Sequence, residues 1–531
     1  MTLLVVSVFG DSILELRRRI DLAVSQGADA IELRLDLTDG VSNDELRLFR
    51  ESGSLRIPLI LTIRSSAEGG AWDGPDDDRV SRLVELGPLA DYIDVELALW
   101  RRSANIRQKI ALALQRAGHI SQSGGVEEIE HAARRRLLLS KHDQATRPAT
   151  LHADFLEMAG TVECHALKIA WRARTVRDNF EAFDLLQSSP KPAIVICMGV
   201  DGIPSRVLAR KFGAHATFAS VESGQETAAG QITIGEMKRN HRWDTIDAQT
   251  RVFGLIGDPV RHSLSPHTHN AAFEDAAINA VYLAFRVAPS FESFKAFMVE
   301  ALDRPWMDWG GFSVTTPHKE NALRFVRDRG GSIDPLAARI GSVNTLAVSA
   351  DGGLSAFNTD QSAAMACIAK LYNCPVAQLA GKSVAILGAG GVARAIIAGV
   401  VDSGAQVTVF NRDFERARTL AEQFKCKAAP WSDRVTARSS LLVNCTSVGL
   451  APETDASPLP TESITLHSAI MDKIYNPFTT RLVREASEQG VPAIGGLDMF
   501  LRQAATQFTI WTGRTVSVAK MNEAAQDARK A

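Results

Sequence analysis

The chain has 531 residues, 45% hydrophobic and 23% charged, with a formal charge of −2 at pH 7. That balance describes ordinary globular folding and excludes a disordered chain. It gives no electrostatic reason to expect nucleic acid or an anionic membrane surface as a partner. The length suits two or three domains, each with its own core. The six cysteines (Cys164, Cys197, Cys367, Cys374, Cys426, Cys445) form no Cys-x-x-Cys pair and read as buried thiols of a reducing compartment. No His/Cys cluster has ligand spacing, so no metal is expected. Met1 leads straight into the apolar run Leu3–Val8, and no run approaches the roughly 18 residues of a membrane span. A cytoplasmic protein without a signal peptide, monomer or homodimer, is expected.

Residues 1 to about 237 alternate short apolar runs with amphipathic stretches such as Ile13–Gln26 and Asn43–Glu51. The spacing predicts eight strands: Leu3–Val8, Ala30–Leu37, Pro58–Arg64, Tyr92–Leu97, Arg136–His142, His165–Trp171, Pro192–Gly199 and His215–Ser220. Eight strand–helix pairs in that length point to a (β/α)8 barrel, although spacing alone leaves a doubly wound sheet open. In a barrel, polar residues at the strand C-terminal ends converge on one mouth. Those ends supply Glu32 and Arg34, Arg64 with Glu68-Gly69-Gly70, Asp94 and Glu96, His142, Lys168, Met198 with Arg206, and Thr227 with Gln231. Interior positions are normally apolar, so this many charges call for a ligand or mutual pairing.

The ordered runs Glu-x-Arg-x-Asp, Arg-x-x-x-Glu-Gly-Gly, Asp-x-Glu-Leu, Ser-Lys-His-Asp, Leu-Lys-Ile-Ala, Ser-Arg and Ala-Ala-Gly-Gln resemble type I 3-dehydroquinate dehydratase across residues 1–237. The resemblance implies a Schiff base between Lys168 and the C3 ketone of 3-dehydroquinate. A protonated imine is an electron sink that acidifies the C2 proton. Lysine attacks only as the free amine, so burial or a neighbouring positive charge must favour that form. His142 would shuttle the proton, with Glu68 and Asp94 orienting it. Arg206 would clamp the substrate carboxylate, supported by Arg34, Arg64 and Gln231, with Glu32 and Thr227 also at the substrate. Two features depart from the family: Ala229 stands where a proline is usual, implying a less rigid lid, and His119–Arg135 is an insertion that reads as a solvated helix.

Residues 238–250 are charged, lack apolar periodicity and read as a linker. Strands are then predicted at Val252–Ile256, Ala280–Val287, Gly311–Thr315, Val343–Val348 and Leu354–Phe357. A second unit opens with Ser383–Gly388, a glycine-rich turn, a helix and the strand Gln406–Asn411. That context makes Gly388-Ala389-Gly390-Gly391-Val392-Ala393 a credible dinucleotide turn, with glycines admitting a pyrophosphate to a helix N-terminus. The next strand ends in Asn411-Arg412-Asp413-Phe414-Glu415-Arg416. The uncharged Asn411, with Arg412 and Arg416 nearby, favours NADP, while Asp413 keeps NAD as the lesser alternative.

The segments Ser263-Leu264-Ser265-Pro266, Gly311 to Lys319, Gly341-Ser342-Val343-Asn344-Thr345, Asn358-Thr359-Asp360, Asn444-Cys445-Thr446-Ser447, Tyr475-Asn476-Pro477 and Gly496-Leu497-Asp498-Met499 with Gln503 are similar to shikimate dehydrogenase over residues 251–520. The resemblance implies a substrate domain at 251–360, a Rossmann NADP domain at 361–500, and a helical segment at 501–531 returning to the former. It implies hydride transfer from NADPH to the C3 ketone of 3-dehydroshikimate, with Lys319 supplying a proton and a positive charge and Asp360 holding Lys319. Ser263, Ser265, Thr315, Asn344, Tyr475 and Gln503 would bind substrate. Thr446, Gly496 and Met499 would join the glycine-rich turn around the cofactor. Together the halves imply consecutive reactions on one chain. Two other readings stay open: a quinate-preferring rear half, or a metabolite sensor whose pockets no longer react.

Overall fold

The computed structural model describes residues 2–53, 55–115, 136–373 and 376–530. The insertion at His119–Arg135 lies outside them. By internal contacts the chain divides into two units, Met1–Thr250 and Arg251–Ala531.

The first unit is the expected barrel. Its strands are β1 (Leu3–Val8), β2 (Ala30–Arg34), β3 (Leu59–Thr62), β4 (Tyr92–Glu96), β5 (Arg136–Asp143), β6 (Cys164–Arg172), β7 (Ala193–Met198) and β8 (Ala216–Ala219). They pair in parallel in the order β7-β6-β5-β4-β3-β2-β1-β8. The His215 amide donates to the Ala193 carbonyl at 2.8 Å, where β8 meets β7. Helices begin where side chains cap them: Ser12 accepts from the Glu15 amide, and Ser42 with Glu45 forms a reciprocal capping box. Inside, Val5, Ala30, Ile60, Tyr92, Leu138 and Ala166 share one apolar cluster. Strand side chains alternate with period two, so the next inward layer is Ser7, Glu32, Thr62, Asp94, Ser140 and Lys168. The floor is apolar; the layer above it is polar on β1 to β6 and apolar at Ile196 on β7 and Phe218 on β8.

Residues 238–250 are not a free linker. A helix, Ile234–Arg239, is capped by Thr233 and Glu236. Beyond it Trp243 and Ile246 are each 1% exposed, and Arg210 donates to the carbonyls of Trp243 and Asp244. Two buried anchors in irregular backbone leave no periodic signal, which is why the segment read as linker.

The second unit holds two six-stranded sheets. The first comprises β9 (Arg251–Gly257), β10 (Ala280–Arg286), β11 (Trp309–Val314), β12 (Ser332–Ile333), β13 (Thr345–Val348) and β14 (Leu354–Phe357), ordered β10-β9-β11-β13-β14-β12. It is mixed: β13 is antiparallel to both β11 and β14. The second comprises β15 (Ser383–Leu387), β16 (Gln406–Asn411), β17 (Lys427–Pro430), β18 (Leu441–Asn444), β19 (Ile470–Asp472) and β20 (Ala493–Ile494). Its all-parallel order, β17-β16-β15-β18-β19-β20, is the 3-2-1-4-5-6 arrangement of a dinucleotide fold, with its switch point beside β15. Phe508 and Trp511 from the helix Gly496–Thr512, and Met521 and Ala525 from Val518–Lys530, pack with Phe253 on the first sheet and Phe273 on the helix Ser265–Asp275. Among the described residues no helix is long and apolar enough to cross a membrane. The described cysteines are unpaired thiols, all buried except the half-buried Cys426.

Candidate functional sites

One pocket opens over the polar layer of the barrel. It is lined by Ser7, Glu32, Arg34, Thr62, Arg64, Glu68, His142, Gln144, Lys168, Arg206, Phe218, Thr227 and Gln231, among others. Lys168 is 5% exposed. Its Nζ donates to Glu32 Oε1 at 3.1 Å and Asp94 Oδ2 at 3.4 Å, and it rests 4.0 Å above the Phe218 ring. Glu32 also accepts from Ser7 Oγ at 2.6 Å and Thr62 Oγ1 at 3.0 Å. Burial alone would raise the Glu32 pKa, but Lys168, Arg34, the Ser7 hydroxyl and Arg64 together hold it down at about 2. It stays a carboxylate.

Glu68 Oε2 accepts from the His142 backbone amide at 2.9 Å and stands 3.2 Å from Nδ1. A neutral imidazole donating Nδ1–H there keeps its Nε2 lone pair free. Burial pushes Glu68 up to about 7 against the pull of Arg64. Burial, then Arg64, Lys168, Arg34 and Arg206, holds His142 well below its usual range. The imidazole is therefore neutral at physiological pH. Asp94, expected beside His142, instead joins Lys168, Arg64 and Ser140. Strand-end convergence does not reveal which neighbours meet.

The arginines divide. Arg34 is engaged bidentately by Asp36, at 3.0 and 2.7 Å, and so is not a free partner for Arg206. Arg64 is ringed by Asp94, Glu68 and Glu96. Arg206, 1% exposed, donates only to the carbonyls of Phe218 and Ala229, and its Nε has no partner. A buried guanidinium with no carboxylate beside it among the described residues invites an anionic ligand. Burial already draws it down to about 10. The lid segment is tied without a proline: Gln231 Oε1 accepts from the Thr227 amide at 2.7 Å, and the Gly199 amide donates to Ala229 at 2.8 Å.

In the second unit, the helix Lys319–Asp328 starts just after β11, and the helix Asp360–Tyr372 just after β14. Lys319 and Asp360 thus each open a helix a few residues after a strand. Lys319 Nζ donates to Asp360 Oδ2 at 2.5 Å. Asn344 Nδ2 donates to Asp360 Oδ1 at 3.0 Å and Thr359 Oγ1 at 2.9 Å, with Gln503 Oε1 at 3.5 Å. The buried His318 donates Nε2–H to the Val287 carbonyl at 2.8 Å and accepts from Asn321, which fixes the turn before Lys319. Ser263 Oγ lies 3.2 Å from Ser265 Oγ at the start of another helix. Tyr475 packs against Phe500 with ring centroids 4.6 Å apart and a 30° tilt; burial raises its phenol, against a weaker pull from the Ser263 hydroxyl. The Thr315 methyl packs on Gly257, where any β-carbon would overlap it.

Gly388 has φ +104°, a conformation open to glycine, and its amide donates to Phe410 at 2.7 Å. The helix Gly391–Asp402 begins there with Gly390 as its cap. A β-carbon on Gly390 would meet nothing within 4 Å, whereas one on Gly391 would stand 3.1 Å from Lys319 Cδ. Open space at a helix N-terminus fits a pyrophosphate. Ala389 and Val392 belong to the same turn, and Ala389, Ala393 and Met499, 6%, 0% and 5% exposed, share the apolar cluster beneath it. Asp413 caps the helix Phe414–Phe424, accepting from the Arg416 amide at 3.3 Å, and Asn411 Nδ2 donates to its carbonyl at 2.8 Å. Arg412 and Arg416 are exposed. Thr446 donates to Asn444 Oδ1 at 2.7 Å, and a β-carbon on Gly496 would strike the Lys473 carbonyl.

Sequence reasoning missed Ser7, Thr62, Gln144 and Phe218 in the barrel and Gln507 in the cleft, and gave Thr359 no role of its own. Gln507, 1% exposed, donates to the Asn344 carbonyl and Thr345 Oγ1, both at 3.0 Å, and accepts from Ser313 at 2.8 Å. The inward period of two on β1 and β3 was the available signal for Ser7 and Thr62. Among the described residues no group of three or more His, Cys, Asp or Glu is arranged to hold a metal.

Comparison with known proteins divides the chain in the same way. The model for type I 3-dehydroquinase matches residues 4–248. The shikimate dehydrogenase substrate binding domain matches 255–346, shikimate/quinate 5-dehydrogenase 370–447, and the shikimate 5'-dehydrogenase C-terminal domain 496–526. The chloroplastic bifunctional 3-dehydroquinate dehydratase/shikimate dehydrogenase of Arabidopsis thaliana is 33% identical over 533 residues, covering 96% of this chain and 82% of that one. The shikimate dehydrogenase (NADP(+)) of Methanosarcina mazei is 39% identical over 274 residues, 50% of this chain and 93% of that one. A solved shikimate 5-dehydrogenase from Thermus thermophilus, in complex with NADP(H) and shikimate, is 35% identical with a TM-score of 0.46, covering 53% of this chain and all of that one.

Proposed function

The chain belongs to the bifunctional 3-dehydroquinate dehydratase/shikimate dehydrogenase family, and on that premise we propose how its residues divide the two reactions. The barrel converts 3-dehydroquinate to 3-dehydroshikimate. Lys168 adds to the C3 ketone, and loss of water gives the protonated imine. His142 Nε2 takes the C2 proton, the C1 hydroxyl leaves with a proton returned by the same imidazole, and water then releases Lys168. Glu68 holds the imidazole by its Nδ1–H. Arg206 receives the substrate carboxylate, while Glu32, Arg64, Thr227 and Gln231 complete the pocket. The observation that carries this reading is a buried lysine in the same pocket as a neutral histidine and an arginine without a carboxylate.

The second unit reduces 3-dehydroshikimate to shikimate. NADPH, when bound, supplies the hydride. Gly388, Gly390 and Gly391 would admit its pyrophosphate, with Arg412 and Arg416 at the 2′-phosphate. Because the Asp413 carboxylate caps its own helix, its charge is partly spent on the Arg416 backbone amide, which eases the conflict with a phosphate. Lys319 places a positive charge and a proton at the substrate oxygen, and Asp360 with Asn344 fixes its position. Ser263, Ser265, Thr315, Tyr475 and Gln503 bind the remaining substrate groups.

The test is a single mixture. With 3-dehydroquinate and NADPH the protein forms one shikimate per NADPH consumed, and without NADPH it stops at 3-dehydroshikimate. Accumulation of 3-dehydroshikimate despite NADPH would leave the second unit without its role.

A further inference from the structure

We propose that Ser140 is a positioning residue for the dehydratase reaction: its hydroxyl holds Asp94 back from Lys168 and so keeps the amine available to attack. The inference rests on the imine-forming role given to Lys168 above. Ser140 is completely buried and lies directly opposite Lys168 in the β5–β6 ladder and opposite Glu96 in the β4–β5 ladder. Its Oγ accepts from Arg64 Nη1 at 2.8 Å and donates to Asp94 Oδ1 at 2.5 Å. Arg64 Nη2 donates to Asp94 Oδ2 at 2.8 Å. Guanidinium, hydroxyl and carboxylate thus close a ring that fixes the plane of Asp94.

The consequence shows in the distances. Asp94 Oδ2 reaches Lys168 only at 3.4 Å, longer than its 2.8 Å bond to Arg64 and longer than the 3.1 Å contact of Lys168 with Glu32. A carboxylate pinned by two stronger donors has little left for a third. Without the Ser140 hydroxyl, Oδ1 loses its partner and the carboxylate can turn to close on the ammonium. A tighter ion pair favours the charged, unreactive form of the lysine. The other charged groups around Lys168 come from other elements: Glu32 and Arg34 from β2, Arg64 from the segment after β3, His142 from β5 and Arg206 from the helix after β7. None of them touches Asp94 Oδ1, so Ser140 alone controls that oxygen among the described residues.

Competitive acetylation of the full-length protein with acetic anhydride, read by mass spectrometry on the peptide bearing residue 168, reports the free amine directly. At pH 7, Ser140→Ala should slow labelling of Lys168 about 10-fold, the effect of one charge-assisted hydrogen bond, and lower dehydratase kcat/KM in parallel. Ser140→Thr, which keeps the hydroxyl, should restore both. If the alanine variant does not fold, Ser140→Cys, with a weaker donor of similar size, should slow labelling by a smaller factor. Unchanged labelling in a folded alanine or cysteine variant would overturn the proposal, as would slow labelling that threonine fails to rescue. Borohydride treatment of wild type with 3-dehydroquinate separates the premise: absence of trapped substrate on residue 168 sinks the imine reading itself, whereas trapping with unchanged acetylation sinks only the role of Ser140.

Discussion

The two lysines to which the reactions are assigned differ in their surroundings: Lys168 lies within β6, and Lys319 on the first turn of the helix after β11. Lys168 lies between two carboxylates and above an aromatic ring. Lys319 has one carboxylate, Asp360, which is itself held by the neutral amide of Asn344. The contrast follows from the chemistry. An imine-forming amine must shed its proton and regain it within a turnover, so its pocket needs balanced charges that can share protons. A lysine that protonates an alkoxide serves best as a firmly held cation, for which one well-placed acid suffices.

Exchanging the lysines for alanine is the strongest way to break the comparison. Lys168→Ala should reduce dehydratase activity by about 10⁴-fold or more, as loss of a nucleophile does, while leaving reduction of added 3-dehydroshikimate unchanged. Lys319→Ala should do the reverse, by about 10³-fold. Separate assays of each half-reaction check both, and loss of both activities in a folded variant would end the division of labour. Next in size, Asp360→Asn should cost the reductase about 10²-fold in kcat, with a smaller change in KM, because it removes the group that holds the acid rather than a substrate contact.

The pH profile sharpens the contrast. Glu68 titrates near 7 because burial penalises its charge, and its working form is the carboxylate that accepts from His142. Dehydratase kcat/KM should therefore rise as pH increases through about 7, then level off. Glu68→Gln should lower the plateau by roughly 10-fold and abolish that rise. The reductase, whose unit does not contain Glu68, should keep its own profile in the variant. The smallest effect is at the cofactor end. Asp413→Thr keeps a helix cap but removes a charge, so the KM for NADPH should fall about 3-fold, within the range of an exposed charge interaction, with dehydratase rates unchanged.

Much of this was legible from the sequence because period and order survive folding. The eight barrel strands fell within a few residues of their predicted spans, and the glycine-rich turn stood between a strand and a helix as its context required. What escaped depends on register and on irregular backbone. Asp94 was set beside His142 because converging strand ends were visible but the β4–β5–β6 pairing was not. That pairing places Asp94 with Ser140 and Lys168 instead. Trp243 and Ile246 anchor a segment with no period to read. Ser7 and Thr62 are small hydroxyls that resemble any strand residue until the inward face is known. Asp413 looked like an obstacle to a phosphate, and only its cap geometry shows where its charge is directed.

The central claim is that residue 168 carries the substrate as an imine. Reduce the protein with borohydride in the presence of 3-dehydroquinate, digest it, and weigh the peptides. The account predicts that the peptide bearing Lys168 gains the mass of the reduced adduct while the one bearing Lys319 does not. A peptide at 168 that emerges unmodified, with enzyme that was turning over, would contradict it.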